Sequence, residues 1–154
     1  MSPTLAYVAY VYAARDQETT SMTQREAVFP PGRQALYEKY NYAAAIRSGD
    51  LLFISGQVGS RADGSPEPDF PKQVELAFEN LAAVLQAAGC GFGDLVDVTT
   101  FHTDPEAQFP TVLAARDRAM AGQPVPNWTA VGVTWLAGFD FEIKVIARIP
   151  AGRA

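Results

Sequence analysis

The apolar positions along this chain fall into two spacings. From Pro71 to Gly89, Val74, Ala77, Phe78, Leu81, Val84, Leu85 and Ala88 recur at the three- and four-residue intervals of a helix face. Pro71 suits a first turn and Gly89 suits the position just past the last one. Each large side chain buried from that stripe contributes roughly 1.5–3 kcal/mol of transfer free energy, so the stripe must pack on something. A sheet face is the natural partner. A second helix is predicted over Pro105–Ala121, with Phe109, Val112, Leu113, Arg116 and Met120 along one side and Gly122 after its end. Elsewhere the period is two. A short strand fits Arg25–Pro30. A hairpin fits Tyr42–Arg47 and Leu51–Val58, turning at Ser48-Gly49-Asp50. "DLVDVTTFHT" is a β-branched strand, and Trp128–Leu136 and Phe139–Ile149 read as a closing pair. "PPGRQALYEKY" and "SRADGSPEPDFP" read as loops, because proline and glycine punctuate them. The order β, β-β, α, β, α, β-β predicts an α+β domain with a mixed sheet and two helices on one face.

Side-chain alternation then assigns faces. Phe139, Phe141, Ile143, Val145, Ala147 and Ile149 form one nearly apolar row, which is expected under the helices. In the preceding strand, Val131, Val133 and Trp135 are the matching apolar set. That leaves Trp128, Ala130, Gly132 and Thr134 on the helix-free face with Glu142 and Ile146. Small residues on a sheet face let another surface come close. This face is therefore expected to meet a neighbouring subunit.

Composition narrows the possibilities. At 154 residues the chain suits one domain with one core. Its net charge is −5, and Arg25, Arg33, Lys39, Arg47, Lys72, Arg116, Arg118 and Lys144 are scattered. Phosphate-backbone binding needs clustered cations, so a nucleic-acid partner is not expected. The single cysteine, Cys90, permits no intrachain disulfide and fits a cytoplasmic setting. One cysteine and one histidine at unrelated positions do not make a zinc site, and no metal or cofactor is expected. "LAYVAYVYAA", Leu5–Ala14, is too short to span a bilayer and lacks the basic lead of a secretory signal, so no membrane partner is expected. Residues 1–21 are read as an extension, frayed or artefactual, and residues 22–154 as the domain proper.

The stretches "RSGDLLFISGQVG", "ENLAAVLQAAG", "DLVDVTTFHTD" and "FDFEIKVIARIP" resemble the RidA/YjgF family, also called the RutC family. The likeness runs from about Arg25 to Pro150. The ending "PNWTAVGVTWLAGFDFEIKVIARIP" resembles its YjgH-like branch. The resemblance implies a chorismate-mutase-like α+β fold, a homotrimer and ligand clefts between subunits. In the deaminating members a P-x-R-S/T motif supplies an arginine that binds the carboxylate of an imino acid, the bidentate pairing at which arginine excels. Here Trp128 stands at that position, in Pro126-Asn127-Trp128-Thr129, and carries no charge. The resemblance also implies a cleft tyrosine at Tyr42, a strand serine at Ser55 and a water-orienting glutamate at Glu142.

Each candidate has two readings. Glu142 is either an acid/base group or a solvated strand carboxylate. Tyr42 binds substrate through its hydroxyl or covers an interface. Ser55 binds ligand or serves the backbone. His102, the only group expected to titrate near neutrality, lines a cleft or ends its strand hydrogen-bonded. Trp128 stacks on a ligand or anchors an interface, and Thr129 binds polar ligand atoms. Two functions follow. One is hydrolysis of a small reactive imine or enamine, with Glu142 as the catalytic group and no need for a substrate carboxylate. The other is a trimer that holds or scavenges a small metabolite without turnover.

Overall fold

The computed structural model describes residues 25–152. The extension expected over residues 1–21 lies outside the described residues. Within them the chain runs β1 (Arg25–Val28), α1 (Gln34–Lys39), β2 (Ala45–Ser48), β3 (Leu51–Val58), α2 (Phe70–Ala87), β4 (Leu95–His102), α3 (Pro105–Ala119), β5 (Asn127–Gly132) and β6 (Phe141–Arg148). The six strands form one mixed sheet in the order β1-β2-β3-β6-β4-β5. Only β4 and β5 are parallel, joined by α3 as crossover helix. Helices α2 and α3 lie together on one face, giving the expected α+β architecture.

Both long helices start where the sequence provides a cap. The Asp69 carboxylate accepts from the Lys72 amide at 3.1 Å, and Asp104 accepts from the Ala107 amide at 3.4 Å. Each cap satisfies an amide that the first turn leaves without a helical partner. Gly89 ends α2 at φ 73°, a left-handed conformation that favours glycine. The α2 stripe packs as predicted: Val74, Ala77, Leu81, Val84 and Leu85 are all completely buried.

β6 lies at the centre of the sheet, antiparallel to β3 on one side and to β4 on the other. Its Phe141, Ile143, Val145 and Ala147 have no exposure and face α2 and α3 with Leu52, Ile54 and Val98. The closing hairpin expected from the sequence does not form. β5 ends at Gly132, and the following segment leaves the sheet through Ala137 and Gly138, at φ 53° and 93°. The chain then crosses β4 and returns between β3 and β4. The physical reason is the demand of a central position: β6 is apolar along one whole face and partly along the other, whereas β5 is small and polar enough for an edge.

That rearrangement reverses the faces expected for β5. Trp128 registers with Val98 and Ala130 with Thr100, both on the helix side. Trp128, Ala130 and Gly132 therefore lie on the helix side, and Thr129 and Val131 lie on the open face with Glu142. The first residue of α3 passes close at Gly132. A Cβ on Gly132 would stand 3.2 Å from the Pro105 ring. Trp135, expected in the core, is 75% exposed. A second correction concerns "PPGRQALYEKY", which contains the six-residue helix α1 instead of continuous loop. Tyr37 is the reason: it is buried against Phe29 and Tyr42, and its hydroxyl donates to Gln57 Oε1 at 3.1 Å.

If β6 holds the sheet together, Ile143→Ala should be among the most destabilising core truncations, costing about 2–5 kcal/mol. Chemical denaturation at fixed protein concentration measures it. A loss no larger than that of an exposed truncation would show that β6 does not carry the core.

Candidate functional site

The open face of the sheet carries one carboxylate in an unusual setting. Glu142 registers with Val58 of β3 and Phe101 of β4, at the middle of the sheet. The β3 register shifts between Ile54 and Gln57, a bulge that contains Ser55 and Gly56. Bulges bend a strand and re-aim its side chains. Here the bulge puts Gly56 directly beneath the acid. An ideal Cβ on Gly56 would lie 1.9 Å from Glu142 Oε1, so the carboxylate occupies the space a side chain would fill. Burial raises the Glu142 pKa above the ordinary carboxylate value, because removing water disfavours the charged form. No hydrogen bond or ion pair to this side chain offsets that effect among the described residues.

Tyr42 and Ser55 belong to the same neighbourhood. The Ser55 hydroxyl donates to the Ala43 carbonyl at 2.8 Å, which ties the segment after Tyr42 to the bulge. Tyr42 lies edge-on to Tyr37, with ring centroids 5.1 Å apart. Its phenol pKa is raised, first by burial, then by Tyr37, and then by the negative charge of Glu142. Tyr42 is therefore a protonated donor at neutral pH, within electrostatic reach of the carboxylate. Beside them a cleft of about 320 Å³ is lined by Leu36, Tyr40, Tyr42, Val58, Pro66 and Phe139 among others, with no cation in its wall. One wall is braced from behind: the Arg33 guanidinium donates to the Ser60 hydroxyl and to Asn80, and Asn80 donates to the Val58 and Ser60 carbonyls.

The remaining sequence candidates are placed elsewhere. Thr129 shares the open face but registers with Thr99, with β4 lying between it and Glu142. His102 is completely buried on the helix side, wedged against Phe109 and Phe141, at centroid distances of 5.1 and 5.5 Å. Burial lowers its pKa, so the ring is neutral at neutral pH. Its Nε2 shares a 2.8 Å hydrogen bond with Thr100 Oγ1, and Nδ1 has no hydrogen-bond partner. Trp128 donates its indole N–H to the same Thr100 hydroxyl at 3.0 Å. The structure thus does not bring His102 or Trp128 to Glu142; they lie behind the sheet. Sequence reading missed Gly56, Gln57 and Tyr37. The glycine of "ISGQ" was a signal for the bulge, since a glycine inside a strand pattern often marks one. Among the described residues no group of three or more His, Cys, Asp or Glu could hold a metal ion, and no helix is long and apolar enough to cross a membrane.

A mixed sheet of this topology, two helices on one face and a desolvated acid on the other define a class of protein, and comparison identifies it. The chain belongs to the family described as endoribonuclease L-PSP, whose model matches residues 32–149. Its relatives include the RutC family protein YjgH of Escherichia coli K12, 67% identical over 129 residues, covering 84% of this chain and 98% of that one. The solved structure of YjgH covers 83% of this chain and 98% of its own with a TM-score of 0.80. RidA from the Antarctic bacterium Psychrobacter sp. PAMC 21119 is 31% identical, with a TM-score of 0.66 over 71% of this chain and 89% of that one.

The setting of Glu142 has a measurable sign. A carboxylate whose folded pKa is raised adds stability that is complete below its unfolded pKa and is lost as pH rises through its folded pKa. Glu142→Gln should therefore flatten the decline in stability on the alkaline side of the carboxylate range and be neutral well below it. Thermal midpoints of both proteins across that range test this, and parallel profiles would remove the desolvation argument. Gly56→Ala should displace the carboxylate into water and return its titration, followed by carboxyl NMR, toward the ordinary range.

Proposed function

We propose that this protein hydrolyses a small, uncharged imine or enamine in the cleft beside Glu142 and Tyr42. The observation that carries the reading is the desolvated carboxylate seated on Gly56, in register with Val58 and acting electrostatically on Tyr42, both of which line the cleft. A carboxylate with a raised pKa is a stronger proton acceptor than an ordinary one. Glu142 would take a proton from water as its oxygen adds to the C=N carbon and deliver it to nitrogen, giving a carbinolamine; it would then relay the carbinolamine hydroxyl proton to nitrogen as the C–N bond breaks and ammonia leaves. The net change is R₂C=NH + H₂O → R₂C=O + NH₃. Tyr42, a protonated phenol, would donate to the substrate nitrogen or the incoming water.

The absence of a cation from the cleft lining favours substrates without a carboxylate. TdcF of Escherichia coli, named as a candidate reactive intermediate deaminase, is 34% identical over 64 residues, 41% of this chain and 50% of that one. That name concerns TdcF, and it supports the same class of chemistry here. The family description speaks of RNA cleavage, but a net charge of −5 with scattered cations is poorly suited to phosphate backbones.

The functional unit we propose is a homotrimer built on the open sheet face, with the cleft closed by a neighbouring subunit. Ile46, Phe53, Phe101, Val131 and Ile146 share that face, and Phe53 is 39% exposed. An apolar patch of that kind marks an interaction surface in a soluble protein. Light scattering should give three chains per particle, and Phe53→Glu should lower the mass.

Imines generated by an amine or amino-acid oxidase, followed by release of carbonyl product and ammonia, test the chemistry. Uncharged imines should be hydrolysed faster than imino acids. Glu142→Gln should slow turnover by about a hundred-fold or more without changing the mass of the particle. Wild-type turnover in Glu142→Gln would leave a binding protein as the better reading.

A further inference from the structure

The cleft beside Tyr42 is assembled from pieces of chain that do not adjoin in sequence. Ser60, Gly64 and Pro66 come from the loop between β3 and α2, and Ala137 and Phe139 come from the segment between β5 and β6. Behind them lies Gln73, a buried residue of α2 whose side chain holds both pieces at once. Its Nε2 donates to the Glu67 carbonyl at 2.7 Å, and its Oε1 accepts from the Asp140 amide at 2.8 Å. Each partner lies one residue beyond a lining residue, Pro66 in the first case and Phe139 in the second. Where the two walls meet, a Cβ on Gly138 would stand 3.9 Å from the Pro66 ring. The loop is also drawn tightly onto α2. A Cβ on Gly59 would lie 2.1 Å from the Gln73 carbonyl oxygen, so no side chain fits there.

The two partners explain the residue type. The Glu67 carbonyl can only accept and the Asp140 amide can only donate. A primary amide satisfies both ends together. An ionised carboxylate cannot donate, an apolar side chain does neither, and a backbone group left unpaired away from water is costly. About two turns further along the same face of α2, Asn80 repeats the device. It donates to the Val58 and Ser60 carbonyls and accepts from the Arg33 guanidinium. Asn80 thus fixes the β3 end of the loop, and Gln73 joins its far end to the opposite wall.

We infer that Gln73 is a positioning residue that sets the gap between the Pro66 and Phe139 walls, and so limits the width of the apolar group the cleft admits. Gln73 itself does not line the cleft. Glu142 is held separately, by the pairing of β6 with β3 and β4, so releasing the clamp widens the cleft without moving the acid. The inference rests on the cleft being the substrate site, and not on the reaction carried out there.

Gln73→Met keeps a side chain of similar length and removes both hydrogen bonds. Amide hydrogen exchange followed by NMR should show the Glu67 and Asp140 amides exchanging about ten-fold faster or more than in the wild type. Unchanged exchange at Ile143 and Val145 shows that the variant is folded. Size selection is read with two uncharged probes, benzyl alcohol and diphenylmethanol, through the amide shifts of Ala137 and Phe139. The wild type should bind benzyl alcohol saturably and diphenylmethanol about ten-fold more weakly, and Gln73→Met should bind the two alike. Gln73→Glu tests the donor alone. Its selectivity should match the wild type at acid pH, where the carboxyl O–H replaces the amide donor, and should be lost at alkaline pH, while the wild type selects at both. Unchanged exchange at Glu67 and Asp140 in Gln73→Met, a wild type that binds neither probe or both alike, or selectivity that survives in Gln73→Met would overturn the inference. Absence of imine turnover alongside the expected exchange and selectivity would count against the reaction and leave the clamp in place.

Discussion

The structure depends on one packing arrangement, the seat of β6 between β3 and β4. Its inward row, Phe141, Ile143, Val145 and Ala147, is sealed from water by α2 and α3 on one side of the sheet. Because side chains alternate, that row also determines what points the other way. Glu142 is carried to the middle of the open face by the same backbone that buries Phe141 and Ile143. Core and candidate site are two faces of one strand. A slip of one residue would exchange them, exposing the apolar row and burying Glu142 and Lys144. The register is therefore held by the hydrophobic effect, and the position of the acid is a by-product of it.

The helices and most strands were legible in the sequence because their signals are local. Periodicity, caps and turn residues all lie within the segments they define. The neighbours of a strand are not local. Trp128–Leu136 and Phe139–Ile149 looked like a hairpin because they are consecutive, and Val131, Val133 and Trp135 looked like its core face because they are apolar. The outcome turned instead on which strand tolerates burial on both sides, and on the close approach of Pro105 to Gly132. Helix α1 was missed for a related reason. Its proline- and glycine-rich lead reads as loop, and the helix persists because Tyr37 packs against aromatic rings distant from it.

The candidate site divides in the same way. The family resemblance pointed to Tyr42, Ser55 and Glu142, which the fold gathers around one bulge. Gly56 escaped notice because its contribution is a missing side chain, visible only once Glu142 is seen lying over it. His102 attracted attention through its intrinsic pKa, a property of the residue type. Its surroundings of Phe109, Phe141 and Thr100 cancel that property, and only the packed structure contains them. Trp128 and Thr129 are adjacent in sequence, yet the pleat sends them to opposite sides of the sheet.

The place of β6 also bears on how the molecule is made. Among the described strands it is the last in sequence and one of the two innermost in space. During synthesis β3 and β4 therefore emerge with unfilled edges facing each other, and they cannot pair until Phe141–Arg148 has been made. Until then α2 has no completed sheet to cover. The nascent chain passes through a stage in which two strand edges and an apolar helix face are open to other chains. Truncation ahead of β6 should therefore leave an aggregation-prone fragment instead of a smaller domain.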